Sequence, residues 1–332
     1  MRAATEALAA VSLPDQAVVL ASWGLVGGLG ILGRTDQIGA AVERGYAAAA
    51  AGFDAPVLRL GLGYRHLLGL RLAGHLDEAE HVAVQAHREV ADAPGWFPLA
   101  GLVLLGQAVA ARDLGSALRW LREARAGLQA FGDVGGWLFR CLLGLTQTLA
   151  MTGHTAAAKQ ILAELEGMRH PGFVFLEPEL ILVRAWVAAA EGAVSSALAL
   201  SRQAATVAAE AGQVAHEVLA LQTVASFGDP SPAGRLATLA IEVIGPRSAV
   251  AARFAEALAP AMALNCSMYQ RNSNAWVIWW RQWTRPRTRP SPIVRGVGAG
   301  RRLAVLRAPM HWLNNAAAQA RRRFGGPRNR CR

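Results

Sequence analysis

A chain of 332 residues, 53% hydrophobic and 17% charged, can bury a sizeable core in one large domain or two, which excludes a globally disordered protein. Its net charge of +11 would suit an acidic partner such as nucleic acid or a membrane surface, but the charge is lopsided. Residues 261–332 hold 15 arginines and no acidic residue, whereas the first 260 carry 19 basic against 23 acidic groups.

The N-terminal stretch MRAATEALAAVSLPDQ carries Glu6 and no continuous apolar run, so it does not read as a signal peptide. No segment reaches the roughly 18 apolar residues of a membrane span, and AVVLASWGLVGGLGILG, the nearest, reads as a packed helix. Within it GLGILG, Gly28 to Gly33, matches the GxGxxG pattern of dinucleotide-binding loops. That pattern needs a strand before it and a helix after it, and here it ends a helical segment, so it reads as close helix packing. A phosphate loop needs a lysine after its glycines, and the chain's one lysine, Lys159, follows alanines.

A turn signal then returns at a fixed interval. It reads GRTDQI from Gly33, GHLDEA from Gly74, RDLGSA from Arg112, GHTAAA from Gly153 and GAVSSA from Gly192, with successive starts 41, 38, 41 and 39 residues apart. Each signal lies between two Ala/Leu-rich segments of helical periodicity. Helices are expected at 15–32, 36–51, 56–73, 76–92, 96–111, 115–131, 135–151, 155–168, 176–190, 194–212, 214–226, 231–244 and 247–260. Glycine can end the first helix of each pair in a left-handed conformation, Asp36, Asp77, Thr155 or Ser195 can cap the second, and Ala79, Ala117, Ala158 and Ala197 let it pack closely. The fold class that follows is all-α: a solenoid of tetratricopeptide-like hairpins with a period of about 40 residues, spanning residues 1–260.

The same segment offers little reactive chemistry. His75, His81 and His87 step by six residues, which keeps them off one helix face and reads as solvated surface. Cys141, Cys266 and Cys331 give no disulfide framework and no ligand pair, which fits a reducing cytoplasm. No catalytic set, cofactor site or metal site can be read. The candidate site is a groove: Trp137, Arg140, Gln147, Glu179, Arg184, Trp186 and Gln222 all lie on first helices of successive hairpins, which line the concave face of such arrays. The competing reading places Trp137 and Trp186 in the core and leaves the arginines solvated.

Several long runs carry a resemblance. LPDQAVVLASWGLVGGLGILGRTDQ, VGGWLFRCLLGLTQTLAMTGHTAAA, RHPGFVFLEPELILVRAWVAAAEGAVSSA, HEVLALQTVASFGDPSPAGRLATLA and GPRSAVAARFAEALA resemble the C-terminal helical-repeat region of large ATP-binding LuxR-type transcriptional regulators. The resemblance covers about residues 5–260. Such regulators place an ATPase module before the repeats and a helix-turn-helix domain after them, and neither is legible here. The resemblance implies a truncated, non-enzymatic sensor or protein-interaction arm, cytoplasmic, that takes a protein or small-molecule signal in its groove.

Past residue 260 the pattern breaks. AWVIWWRQWTRPRTRP places Trp276, Trp279, Trp280 and Trp283 on one helical face and then alternates arginine with proline. Rebuilding codons from the last base of one residue and the first two of the next forces Gly across Met262/Ala263, Leu across Asn265/Cys266 and Asp across Trp283/Thr284. Synonymous choices at the other positions permit an acidic amphipathic hairpin, the pattern the repeats require. The tail, 261–332, therefore reads as a mostly disordered segment translated from a shifted frame. The alternative is a nucleic-acid-binding tail, with arginines on phosphates and tryptophans stacked on bases.

Overall fold

The computed structural model describes residues 2–9, 13–51 and 56–269. Those residues form fourteen α-helices and no strand: α1 (Arg2–Ala9), α2 (Asp15–Ile31), α3 (Gly39–Ala50), α4 (Pro56–Ala73), α5 (Leu76–Val90), α6 (Phe97–Val109), α7 (Leu114–Leu128), α8 (Trp137–Met151), α9 (Thr155–Gly167), α10 (Glu177–Ala190), α11 (Val194–Glu210), α12 (Val214–Ser226), α13 (Ala233–Glu242) and α14 (Pro246–Tyr269). The thirteen expected helices each have a counterpart; α1 was not expected. The chain change near residue 260 does not end α14, because Ala-Met-Ala-Leu keeps helix propensity beyond it. The tail beyond residue 269 lies outside the described residues, and so do the readings made of it.

Two kinds of helix alternate, for a reason visible in their composition. In α6, FPLAGLVLLGQAV is apolar all round and every residue from Ala100 to Val109 is buried. In α5, LDEAEHVAVQAHREV buries only Ala79, Glu80, Ala83 and Val90 and gives its other face to solvent. A helix apolar on every side must be covered on every side. Accordingly α2, α4, α6, α8, α10 and α12 form an inner layer, each packed on its inner neighbours, and α3, α5, α7, α9, α11 and α13 form the outer one.

The hairpin turns explain the period. After α8, Gly153 has φ +80°, its N–H donates to Ala150 O at 3.1 Å, and the His154 N–H donates to Leu149 O at 2.9 Å. This left-handed Schellman turn satisfies the last helix carbonyls, and the same pair of bonds recurs at Gly33, Gly74, Gly192, Gly212 and Gly228. It also corrects the expected caps. Because the residue after the glycine already takes the cap position, His75, His154 and Ala193 are the N-caps, and Asp77 falls inside the first turn. Thr155 instead donates from Oγ1 to Ala190 O. Where the turn lacks glycine, at Arg112, the side chain of Asp113 caps α7 by accepting from Ser116 N at 3.0 Å. Ala79, Ala117, Ala158 and Ala197 are all fully buried, as close packing requires.

GLGILG is a packing device. A Cβ on Gly30 would lie 2.8 Å from the Gly69 Cα, so α2 and α4 touch backbone to backbone.

The array then curls back on itself. Helices α12 and α14 pack against α4, and α12 also reaches α2. The link between α13 and α14 runs along the first turns: Ile244 N–H donates to Gly33 O at 2.7 Å, and Thr35 Oγ1 donates to Ile244 O at 2.9 Å. Arg247 donates from Nε to Leu72 O and from Nη2 to Arg71 O, both at 2.8 Å, at the end of α4. One turn of superhelix thus brings the last hairpin onto the first two.

Candidate functional site

Closure turns the inner face into an interior. Glu179, at the start of α10, reaches across it to α4, where Arg71 Nη2 donates to both carboxylate oxygens at 2.8 and 2.7 Å. His216 Nε2 on α12 lies 3.2 Å from Glu179 Oε1 and is fully buried. Burial pushes the Glu179 carboxyl up, but the Arg71 guanidinium and the His216 ring outweigh it and leave its pKa at about 2. Arg247 completes the group by donating from Nη1 to Gln222 Oε1 at 2.7 Å, and burial among like charges holds its pKa down at about 10. Four inner or closing helices therefore meet at one hydrogen-bonded ionic cluster.

A second cluster sits beside it. Tyr64 on α4 is buried, with its ring edge-on to Trp137 at 6.0 Å between centroids. The Arg140 guanidinium carbon lies 4.6 Å from the Tyr64 centroid, 5.4 Å from Trp137 and 5.6 Å from Phe173. The Arg65 guanidinium carbon lies 4.1 Å from the Phe175 centroid, 5.8 Å from Trp23 and 5.9 Å from Tyr64. Phe173 and Phe175 belong to the 3-10 turn Pro171–Leu176, which folds inward between α9 and α10, and Phe173 stacks on Phe139 at 4.4 Å. Both clusters draw on α4, since Tyr64 carries Arg140 and Arg71 carries Glu179.

The expected groove residues divide accordingly. Trp137 and Arg140 are buried in the aromatic cluster, and Glu179 and Gln222 enter the ionic one. The other three stay apart. Arg184 pairs with Glu166 at 2.7 Å on the outer side, Trp186 packs edge-on against Phe227, and Gln147 contacts Met151 Sδ at 3.8 Å. Sequence reasoning missed Tyr64, Arg65, Arg71, His216 and Arg247. For Tyr64, Arg65 and Arg71 the signal was available in α4, where PVLRLGLGYRHLLGLRLA sets arginines into a largely apolar helix; His216 on α12 and Arg247 on α14 carried no such local signal.

No family model matches the chain, and no curated protein or solved structure does.

Among the described residues no group of three or more His, Cys, Asp or Glu could hold a metal ion, and no helix is long and apolar enough to cross a membrane. Of the three histidines read as surface, His81 is exposed, but His87 is half-buried because Gly101 leaves room for its ring, and burial lowers its pKa.

Proposed function

We propose that this chain is a non-enzymatic sensor or protein-interaction arm related to LuxR-type transcriptional regulators, which takes a small-molecule signal or a protein partner on its inner face. The observation that carries the reading is the make-up of that face. Helices far apart in sequence bring guanidinium groups, aromatic rings and one shared carboxylate to a single interior, as a binding surface demands. Thermal shift of the full chain against a library of small metabolites tests it, with mass spectrometry of the recovered compounds. A signal should raise the melting midpoint progressively with concentration, by about 2.7 kcal/mol of stability at a hundredfold excess over Kd, and return unchanged. Turnover of the compound would overturn the non-enzymatic reading.

One observation favours a second reading, a nucleic-acid-binding protein: residues 261–332 combine 15 arginines with five tryptophans and no acid. It requires DNA affinity that falls steeply with salt and depends on those arginines. DNA binding of that kind, with no stabilising metabolite, would replace the first reading by the second.

A further inference from the structure

The aromatic cluster holds more positive charge than its surroundings answer. Arg71 has Glu179, and Arg235 has Glu217 at 2.7 Å. Arg65 and Arg140 have no carboxylate partner among the described residues. Arg140 is 7% exposed, and its one side-chain hydrogen bond among the described residues runs from Nη1 to Gly135 O at 2.7 Å. Its Nε is buried without a partner. Arg65 makes ring contacts only, is half-buried, and shares the Tyr64 ring with Arg140, the two guanidinium carbons lying 5.9 and 4.6 Å from its centroid. Two guanidiniums partly removed from water and close together cost free energy unless an anion answers them.

The surroundings are arranged to keep these groups in place. A Cβ on Gly27 would sit 3.0 Å from Arg65 Cδ, and one on Gly61 would sit 3.2 Å from the Trp23 ring. Gly136 has φ +75°, and a Cβ there would lie 2.4 Å from Phe173 and 2.7 Å from Arg140 Nη1. Three backbone positions thus leave space that the arginines and rings fill. Trp23, Phe173 and Phe175 are only partly buried, and solvent reaches this side of the cluster, whereas Tyr64 and Arg140 are buried.

We propose that Arg65 and Arg140, walled by Trp23, Tyr64, Phe173 and Phe175, bind a small organic anion with a planar body, the carboxylate or phosphate on the two guanidiniums and the ring among the aromatic side chains. The forked donors of arginine match either oxyanion, and flat rings favour a flat ligand. This inference rests on the sensor reading and specifies the class of signal.

Calorimetric titration of the full chain with benzoate, phenyl phosphate and benzamide tests it. At least one of the two anions should bind, and the comparison between them assigns the oxyanion; neutral benzamide should bind roughly tenfold or more weakly. Arg65→Gln, at a half-exposed position, should weaken the anion roughly tenfold or more with little change in melting midpoint, and Arg65→Lys should restore part of the loss. Arg140→Lys provides a second variant at the buried position. Equal binding of benzamide, or anion binding unchanged in Arg65→Gln, would overturn the proposal. If neither anion binds while metabolites of another class stabilise the chain, the anion site falls and the sensor reading stands.

Discussion

Replacing Glu179 by glutamine tests whether the interior ionic cluster holds the superhelix closed. The substitution keeps the side-chain shape but removes the charge on which both Arg71 bonds and the His216 contact end. The carboxyl titrates at about 2, against an ordinary 4.5, and each unit is worth about 1.4 kcal/mol, so the ionised group contributes about 3 kcal/mol. Because the folded pKa lies below the unfolded one, that contribution is complete above pH ~4.5 and is lost as the pH falls toward about 2. At pH 7 the variant also leaves Arg71 buried without its partner, so a loss of about 3 to 5 kcal/mol is expected, or a melting midpoint lower by roughly 10 °C. Circular dichroism at the helix band measures it. The midpoints of the two proteins should converge as the pH drops from about 4.5 to about 2. A variant melting within about 2 °C of the parent at pH 7, with the same dependence on acid, would refute the argument.

Two smaller predictions address single positions. Gly153→Val should destabilise the fold by roughly 1 to 2 kcal/mol, because φ is +80° and an added Cβ meets nothing within 4 Å, so backbone strain is the whole cost; an unchanged thermal melt would contradict the turn geometry. Cys141 is fully buried, burial pushes its thiol up to about 12, and its Sγ lies 3.3 Å from Leu121 O. Maleimide at pH 8 should therefore label it only after denaturation, and rapid labelling of the native protein, read by peptide mass spectrometry, would contradict the packing.

The architecture was more legible than the site, and particular residues explain the difference. Helix periodicity and the turn glycines are local signals, so α4, α8 and α12 appear almost where the sequence puts them. The cap residues misled because the Schellman turn advances the helix start to His75 and His154, leaving the acidic or hydroxyl residue inside the helix. The interior joins residues such as Arg71 to Glu179, 108 positions apart, and Arg247 to Leu72, 175 apart. No spacing rule spans such separations, since they depend on how far each hairpin rotates past the last. The groove residues were chosen from α8, α10 and α12 alone, and the partners that Arg140, Glu179 and Gln222 meet across the interior, Tyr64, Arg71 and Arg247, came from α4 and α14, the helices that closure brings opposite them.

The return of the last hairpin onto the first sets this array apart from an open stack in another respect. In an open solenoid each repeat meets only its neighbours, so a hairpin can be gained or lost at the cost of one interface. Here the backbone bond from Ile244 to Gly33 and the Arg247 bonds to the end of α4 hold only when the intervening hairpins complete one turn. Inserting or deleting a hairpin would carry those partners past each other. The number of repeats is therefore a fixed property of the fold, as strand number is in a closed barrel.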